Sequence, residues 1–313
     1  SVTYAQMFYN AARGEVWLFC RVDRVTWQFR ASRDGGETFS APRTFIRSDA
    51  GGLYYADIRR RLTARSDTVS ESYVFALYGH PVKSADHTIR TGVITQDGIF
   101  CRMDGTSLGV GLFEDNGLLD ASALDVAYSA PEGKTVRLLS VAPTVPARIA
   151  FATFEYPGST SADYRVATWR GGAWRVSEVI APSGAFLADF DSDGAPVHDG
   201  SETYVGGMEF YWGVGAPAFR RDTPAFTDSD AVYLIRRCND GVWVLERYAS
   251  RDRGKTYRFE YTVYTARRGM KLWRPVVPVW AQDNMPVYCQ EGEYVAYKGG
   301  WHCDVIMPVE PEI

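Results

Sequence analysis

The stretch Ser32-Arg33-Asp34-Gly35-Gly36-Glu37-Thr38-Phe39 decides the fold, because its pattern recurs at Ser250-Arg251-Asp252-Arg253-Gly254-Lys255-Thr256-Tyr257. Both copies read S-x-D-x-G-x-T-aromatic, and each follows a run rich in strand-forming residues, 27–31 and 243–249. In such a segment the Asp carboxylate accepts N–H groups of its own turn, and Gly supplies positive φ. The repeat therefore predicts two equivalent tight hairpins within repeated β-units.

Short strand-like runs bounded by Gly, Asp, Asn and Pro fill the rest of the chain. They group into units of about four strands, and the first, second and fourth units are regular. These units comprise 3–9, 16–21, 27–31 and 43–46; then 56–63, 73–78, 88–95 and 99–102; and 204–210, 231–236, 242–248 and 259–265. A less regular third unit comprises 124–128, 136–141, 149–154, 164–169 and 174–180, and a final one comprises 276–280, 294–297 and 302–307. We expect an all-β chain, one domain over 1–313, with five such units, or alternatively six.

The composition limits the function classes. The hydrophobic fraction is 46% and the charged fraction 23%, as in an ordinary globular protein. The aromatic fraction of 14% favours strands and supplies rings on which sugars stack. A net charge of −4 predicts neither a nucleic-acid-binding nor a membrane-binding surface, and no apolar run approaches the length of a transmembrane helix.

The cysteine spacing matches no zinc pattern. Cys20, Cys101 and Cys238 lie in or beside strand-like runs and are predicted to be buried thiols. The chain also has Cys289 and Cys303, and this odd count of five does not decide the redox compartment. The loop 189–193 carries three Asp but lacks the Glu that closes an EF-hand calcium site. We therefore expect no metal or other cofactor, with a structural calcium ion in this loop as the alternative.

The repeated hairpin resembles the Asp-box of BNR-repeat and sialidase-like β-propellers. The stretches Val2-Thr3-Tyr4-Ala5-Gln6, Val16-Trp17-Leu18-Phe19-Cys20-Arg21 and Tyr78-Gly79-His80-Pro81 are similar to the BNR-repeat family that contains ulvan lyases and related enzymes of uronic-acid polysaccharides. The likeness spans most of the chain. It implies a β-propeller of four-stranded blades, with structural Asp-box acids, and a secreted, periplasmic or cell-surface monomer, although this chain shows no signal peptide.

The same resemblance implies β-elimination at a uronate. A base removes the proton at C5, and the charge that builds on the carboxylate must be neutralised. Tyr4 would handle the proton and Arg21 the carboxylate; a tyrosine, with a reference pKa of about 10, needs such a positive neighbour. Catalytic histidines of the family lie upstream of this Tyr, where this chain has only three residues. Either His80 or His87 substitutes, or the protein works differently, or it has lost that activity. Alternatively, Tyr4 packs between blades and Arg21 pairs with Asp23.

Further candidates for substrate binding lie near the starts of strands, which converge on one face of a propeller. Asp125 and Tyr204 are also inner-strand candidates, and Arg59 could clamp an acidic sugar or lie on a solvated edge. In the run 59–61, the first and last Arg would share one face and Arg60 the other. The predicted substrate-binding residues are Tyr54, Tyr55, Asp57, Arg59, His87, Glu209, Tyr211 and Trp212.

Three function classes remain open at this point. A polysaccharide lyase that cleaves an acidic, uronate-containing glycan is the first. The second is a glycoside hydrolase on a sialidase-like propeller that uses a carboxylate pair such as Asp57 and Glu209, although the Arg-Ile-Pro motif of sialidases is absent. The third is a non-catalytic propeller that binds glycan or protein.

Overall fold

The computed structural model describes residues 2–22, 26–47, 54–65, 68–79, 84–114, 117–155, 162–183, 208–210, 230–238, 240–276, 287–294 and 301–306. These residues form β-strands and turns, with one 3-10 turn at Ala121–Ala123. No helix in these ranges has the length and apolar character needed to cross a membrane.

The first sheet confirms the first predicted unit. Its strands are β1 (Val2–Asn10), β2 (Glu15–Val22), β3 (Thr26–Ser32) and β4 (Arg43–Arg47), paired in that order. Every pair is antiparallel, and each predicted strand lies inside the observed one. The alternation of polar and apolar residues was sufficient to predict these four strands, because Gly or Asp residues that favour turns separate them in the sequence.

The second sheet is larger than predicted. It contains β5 (Tyr54–Arg65), β6 (Thr68–Gly79), β7 (Thr88–Thr95), β8 (Ile99–Cys101), β9 (Ser107–Gly111) and β10 (Asp125–Ser129). The run 124–128, predicted to open the third unit, instead forms β10 and pairs with β7. Because the short β8 occupies β7 only at Val93 and Ile94, the rest of that edge is available to β10. Asp125 is therefore not an inner-strand residue, and its carboxylate accepts the backbone N–H of Met103.

The third sheet contains β11 (Lys134–Ala142), β12 (Arg148–Glu155), β13 (Ala162–Arg170), β14 (Ala173–Val176) and the two-residue β15 (Pro182–Ser183). The fourth contains β16 (Met208–Phe210), β17 (Asp230–Arg237), β18 (Trp243–Ser250) and β19 (Arg258–Thr265), and the fifth β20 (Lys271–Val276), β21 (Tyr288–Tyr294) and β22 (Trp301–Ile306). The fifth sheet begins earlier than the predicted 276–280, since Pro275 sits at a register shift between Trp273 and Val276, where a missing N–H is tolerated.

The described residues form five consecutive antiparallel sheets, which are the blades of a β-propeller, as predicted. By packing, the chain divides into two compact units. One comprises 1–130, 141–148 and 169–174, and the other 131–140, 149–168 and 175–313. The expectation of one domain stays a prediction.

An aromatic core joins the first two sheets inside the first unit. Trp17 and Phe19 of β2 meet Phe29 of β3 and Tyr73 of β6, and all four side chains are buried. The Trp17 ring meets the Phe29 ring edge-on, with 5.4 Å between centroids, a favoured geometry that adds to the apolar burial. This core fixes β1 and β2 against β5. The second unit has its own core around Tyr233, Ile235, Leu245 and Leu272.

The two repeated segments, 32–39 and 250–257, form equivalent turns, here called the aspartate turns. Each lies between the third and fourth strands of its sheet. Asp34 and Asp252 accept the backbone N–H of Thr38 and Thr256, at 2.9 Å in both cases, and also their hydroxyls. Ser32 and Ser250 Oγ accept Gly N–H groups at 2.8 and 2.7 Å. The shared bonds explain the shared pattern.

Candidate functional site

A bulge in β1 presents Tyr4. Thr3 lies opposite Arg21, but the next partners are Gln6 and Phe19, so two residues of β1 face one residue of β2. Bulges of this kind re-aim a side chain. Tyr4 adopts φ 55°, an uncommon conformation for a residue with a side chain, and is 50% exposed. Its hydroxyl-bearing ring therefore lies at the surface.

Arg21 packs against two tyrosine rings. Its guanidinium carbon is 4.6 Å from the Tyr4 ring centroid and 4.7 Å from that of Tyr55, which are cation–π distances. The residue is only 7% exposed, yet its Nε and one terminal nitrogen have no hydrogen-bond partner. No carboxylate among the described residues pairs with it, while the alternative partner Asp23 lies outside those residues. Arg21 thus carries a buried charge with unused donors.

Tyr55 and Tyr78 extend the aromatic surface. The two residues are cross-strand partners in β5 and β6, and their rings stack with 5.2 Å between centroids. Tyr55 also meets the Tyr4 ring edge-on at 5.2 Å. Burial raises the pKa of the Tyr55 hydroxyl, as does neighbouring Tyr4, while Arg21 acts in the opposite direction. We call Tyr4, Arg21, Tyr55 and Tyr78 the Arg21 site. Tyr78 was not among the predicted site residues, although its register opposite Tyr55 was the signal that could have identified it.

Tyr54 points to the other face of β5 and anchors a loop. Its hydroxyl donates to the Asp86 carboxylate at 2.9 Å, and its carbonyl accepts the Trp27 indole N–H. Burial, followed by the hydrogen bond to Asp86, raises the pKa of Tyr54 to about 12. The hydroxyl is thus already engaged, and a substrate contact by Tyr54 stays a prediction.

Asp57 and Arg59 form an ion pair on one face of β5, with Arg59 Nε 3.0 Å from Asp57 Oδ1. Burial raises the pKa of Asp57, and the Arg59 charge opposes that effect. Arg60 points to the other face and pairs with Glu71, whereas Arg61 bonds Ser72 Oγ. Unlike Arg21, Arg59 therefore has its charge balanced by a neighbouring acid.

Several predicted residues lie outside the described ones, namely His80, Tyr204, Tyr211, Trp212 and the 189–193 loop. Glu209 lies in β16 opposite Tyr233, and its side chain is outside the described part of the structure. His87 is half-buried, and its carbonyl accepts the N–H of Ala130. In the ranges covered by the structure, no three His, Cys, Asp or Glu side chains could together hold a metal ion.

A cavity of about 490 Å³ lies at the opposite end of the first sheet. It is lined by the first aspartate turn together with Glu15, Phe29, Arg43 and Phe113. Because β2 runs from Glu15 to Val22, this cavity and Arg21 are at different ends of the strand. Glu15 is already engaged by Arg13, Arg33 and Trp17, so its acceptors are in use.

The five antiparallel sheets define a β-propeller protein, and solved structures of that class resemble this chain. An ulvan lyase of polysaccharide lyase family PL25, solved bound to -[GlcA(1-4)Rha3S]-, matches with a TM-score of 0.60 at 15% identity, over 99% of this chain and 65% of its own length. A second structure of PL25 ulvan lyase matches with a TM-score of 0.59 at 14% identity, over 99% of this chain and 65% of its own. The Hadza microbial sialidase Hz136 matches at 0.43 and 10% identity, over 100% of this chain and 59% of its own.

At these identities the likeness shows the fold alone. This chain spans 65% of the length of the ulvan lyase. No protein-family model and no curated protein matches the sequence.

Proposed function

We propose that this protein is a carbohydrate-active enzyme, a polysaccharide lyase that cleaves a uronate-containing glycan by β-elimination at the Arg21 site. The observation that carries the proposal is Arg21 itself, which is 7% exposed with two nitrogens that lack hydrogen-bond partners. A buried guanidinium without a described counter-ion is costly and is suited to receive a carboxylate from a ligand in bidentate geometry.

The chemistry follows from this placement. The uronate carboxylate would bind Arg21, whose charge stabilises the enolate-like species as the C5 proton leaves. The electrons of the C–H bond form the C4–C5 double bond, and the glycosidic oxygen leaves C4 and takes up a proton. Tyr4, whose ring lies 4.6 Å from the guanidinium carbon, is the proposed group for proton transfer. His80 and His87 remain candidates for a second proton-transferring group.

The stacked Tyr55–Tyr78 pair supports a sugar ligand, because aromatic rings with a few well-placed polar groups are typical of such sites. The ulvan lyase of similar fold was solved with an acidic oligosaccharide. We accordingly propose that the protein binds an acidic polysaccharide. We also propose that the aspartate turns are BNR repeats, and that the protein acts outside the cell as a monomer without a cofactor.

A glycoside hydrolase is the second candidate. The observation in its favour is Asp57, whose pKa is raised by burial, as a general acid requires. The Arg59 ion pair opposes that role because it favours the ionised form. A non-catalytic propeller that binds glycan through the Arg21 site is the third.

The test is an incubation with a panel of uronate-containing polysaccharides, followed by ultraviolet absorbance of unsaturated uronates and by a reducing-end assay. Rising absorbance together with new reducing ends supports the lyase. New reducing ends without absorbance indicate hydrolysis, and silence in both assays contradicts catalysis on these substrates. Arg21→Gln should abolish the absorbance, whereas Arg30→Gln, on the next strand of the same sheet, should retain it.

A further inference from the structure

Gln6 connects the two strands that carry the Arg21 site. β1 and β5 belong to different sheets. Nevertheless, Gln6 Nε2 donates to the Ala56 carbonyl at 2.9 Å, and its Oε1 accepts the Ile58 N–H at 2.7 Å. One amide side chain therefore satisfies a backbone acceptor and a backbone donor on either side of Asp57, as a neighbouring strand would.

These two bonds lie next to the rings of the site. Gln6 is the residue at which regular pairing of β1 resumes after the bulge that contains Tyr4. On the other strand, Ala56 directly follows Tyr55. The positive φ of Tyr4 is unfavourable for a residue with a side chain, so the surroundings must hold it in place.

We propose that Gln6 is a positioning residue, which holds the Tyr4 ring against the Tyr55 ring and thereby keeps both rings in contact with Arg21. Its effect on rate rests on the proposed function, whereas its effect on ring geometry does not. Tyr4 and Tyr55 come from different sheets, and the Gln6 amide bonds the two strands beside both rings.

Asn10 supplies a matched control at the other end of β1. Its side-chain amide also joins the two sheets, since Nδ2 donates to the Gln96 carbonyl at 2.8 Å. Asn10 is buried, and its cross-strand partner is Glu15, which lies at the end of β2 remote from Arg21. Asn10→Leu should therefore destabilise the same sheet contact without moving the Tyr4 ring.

The first experiment measures geometry and needs no substrate. The full chain is labelled with fluorotyrosine, and the fluorine NMR signals of Tyr4 and Tyr55 are assigned by Tyr4→Phe and Tyr55→Phe. We expect Gln6→Met, which has similar length but no amide, to shift both signals, while Asn10→Leu leaves both in place. Unmoved signals in folded Gln6→Met would overturn the positioning role, as would equal shifts in Asn10→Leu.

The second experiment measures kinetics on a glycan that the wild type cleaves. We expect Gln6→Met to lower kcat about 100-fold with little change in KM, because misplacement by an ångström has effects of that order. Gln6→Glu keeps the acceptor for the Ile58 N–H but loses the donor to the Ala56 carbonyl, so its kcat should lie between those of the wild type and Gln6→Met. Asn10→Leu should keep the wild-type kcat. Wild-type kcat in Gln6→Met would contradict the role. If the wild type cleaves no glycan, the proposed function fails, and the fluorine signals still decide the role of Gln6.

Discussion

Arg21 has an environment that favours ligand binding over stability. Arg21 contacts two tyrosine rings but has no carboxylate partner among the described residues. Replacing a buried charge by an apolar residue of similar size is often neutral or stabilising. We predict that Arg21→Met abolishes glycan cleavage while the melting temperature stays the same or rises, and that Tyr4→Phe abolishes cleavage with the fold intact. Activity assays and thermal unfolding on the same samples test this.

Arg60 provides the contrast for that prediction. It pairs with Glu71, whose side chain is 5% exposed. Arg60→Met should leave a buried acceptor without its charged partner and lower the free energy of unfolding by about 1–3 kcal/mol. A similar loss of stability in Arg21→Met would mean that Arg21 has a structural role, and wild-type cleavage rates in Arg21→Met or Tyr4→Phe would remove the proposed site.

The Tyr54 hydroxyl makes stability depend on alkaline pH. Its pKa is about 12 in the folded protein against an ordinary value of 10.0. Between these values the folded chain keeps a proton that the unfolded chain releases, so the free energy of unfolding falls as pH rises. We predict that Tyr54→Phe weakens this decline, as measured by denaturant unfolding at several pH values across that window. Tyr9→Phe, on an exposed ring, controls for the loss of a hydroxyl, and an unchanged slope in Tyr54→Phe would contradict the prediction.

The aspartate turns depend on ionised carboxylates. Hydrogen bonds from Ser32 and Thr38 hold the pKa of Asp34 well below its ordinary 3.8, and bonds from Thr256 do the same for the pKa of Asp252. Because the folded pKa is lowered, the stabilisation is present above pH 3.8 and is lost as pH falls. We predict that Asp34→Asn and Asp252→Asn lower the melting temperature at neutral pH and converge on the wild type in acid.

The exposed Glu37 lies in the same turn as Asp34 and offers the control for charge alone. Glu37→Gln should keep the wild-type melting temperature. If it destabilised the protein as much as Asp34→Asn does, net charge rather than the turn bonds would explain both effects.

The elements were predictable where local chemistry decides them. The first sheet and the aspartate turns follow from alternation and from Gly, Ser, Asp and Thr at fixed offsets. The placement of β10 was not predictable, because it depends on which edge of β7 the short β8 leaves available. The start of β20 was missed because Pro275 argues against a strand unless a register shift accommodates it.

At the scale of the molecule, repetition made the fold predictable and the site only partly so. Two copies of one turn indicate repeated blades. Tyr4, Arg21 and Tyr55 were each singled out in the sequence, and the structure brings these three together. The contact of Arg21 with both rings depends on the bulge that presents Tyr4 and, as we propose, on the inter-sheet bonds of Gln6. Such contacts between sheets leave no periodic pattern, which is why the role of Gln6 emerges only from the coordinates.

Four thiols distributed over the sheets can report on folding of the whole chain. Cys20, Cys101 and Cys289 are buried and free, whereas Cys238, predicted to be buried, is half-buried. Burial raises the pKa of all four thiols, that of Cys289 to about 12, and only the thiolate reacts with alkylating reagents. We predict that, of these four thiols, Cys238 is alkylated first in the native protein and that the three buried ones react only on unfolding.

Cys20 and Cys101 should become reactive at the same denaturant concentration, because one aromatic core joins the first and second sheets. Cys289 lies in the other compact unit and reports on that unit separately. Peptide mass spectrometry after pulsed alkylation across a urea series measures each site. If Cys101 stayed protected at a urea concentration where Cys20 already reacts, the two sheets would unfold separately. This result would contradict the inference that the shared core supports Arg21 rigidly.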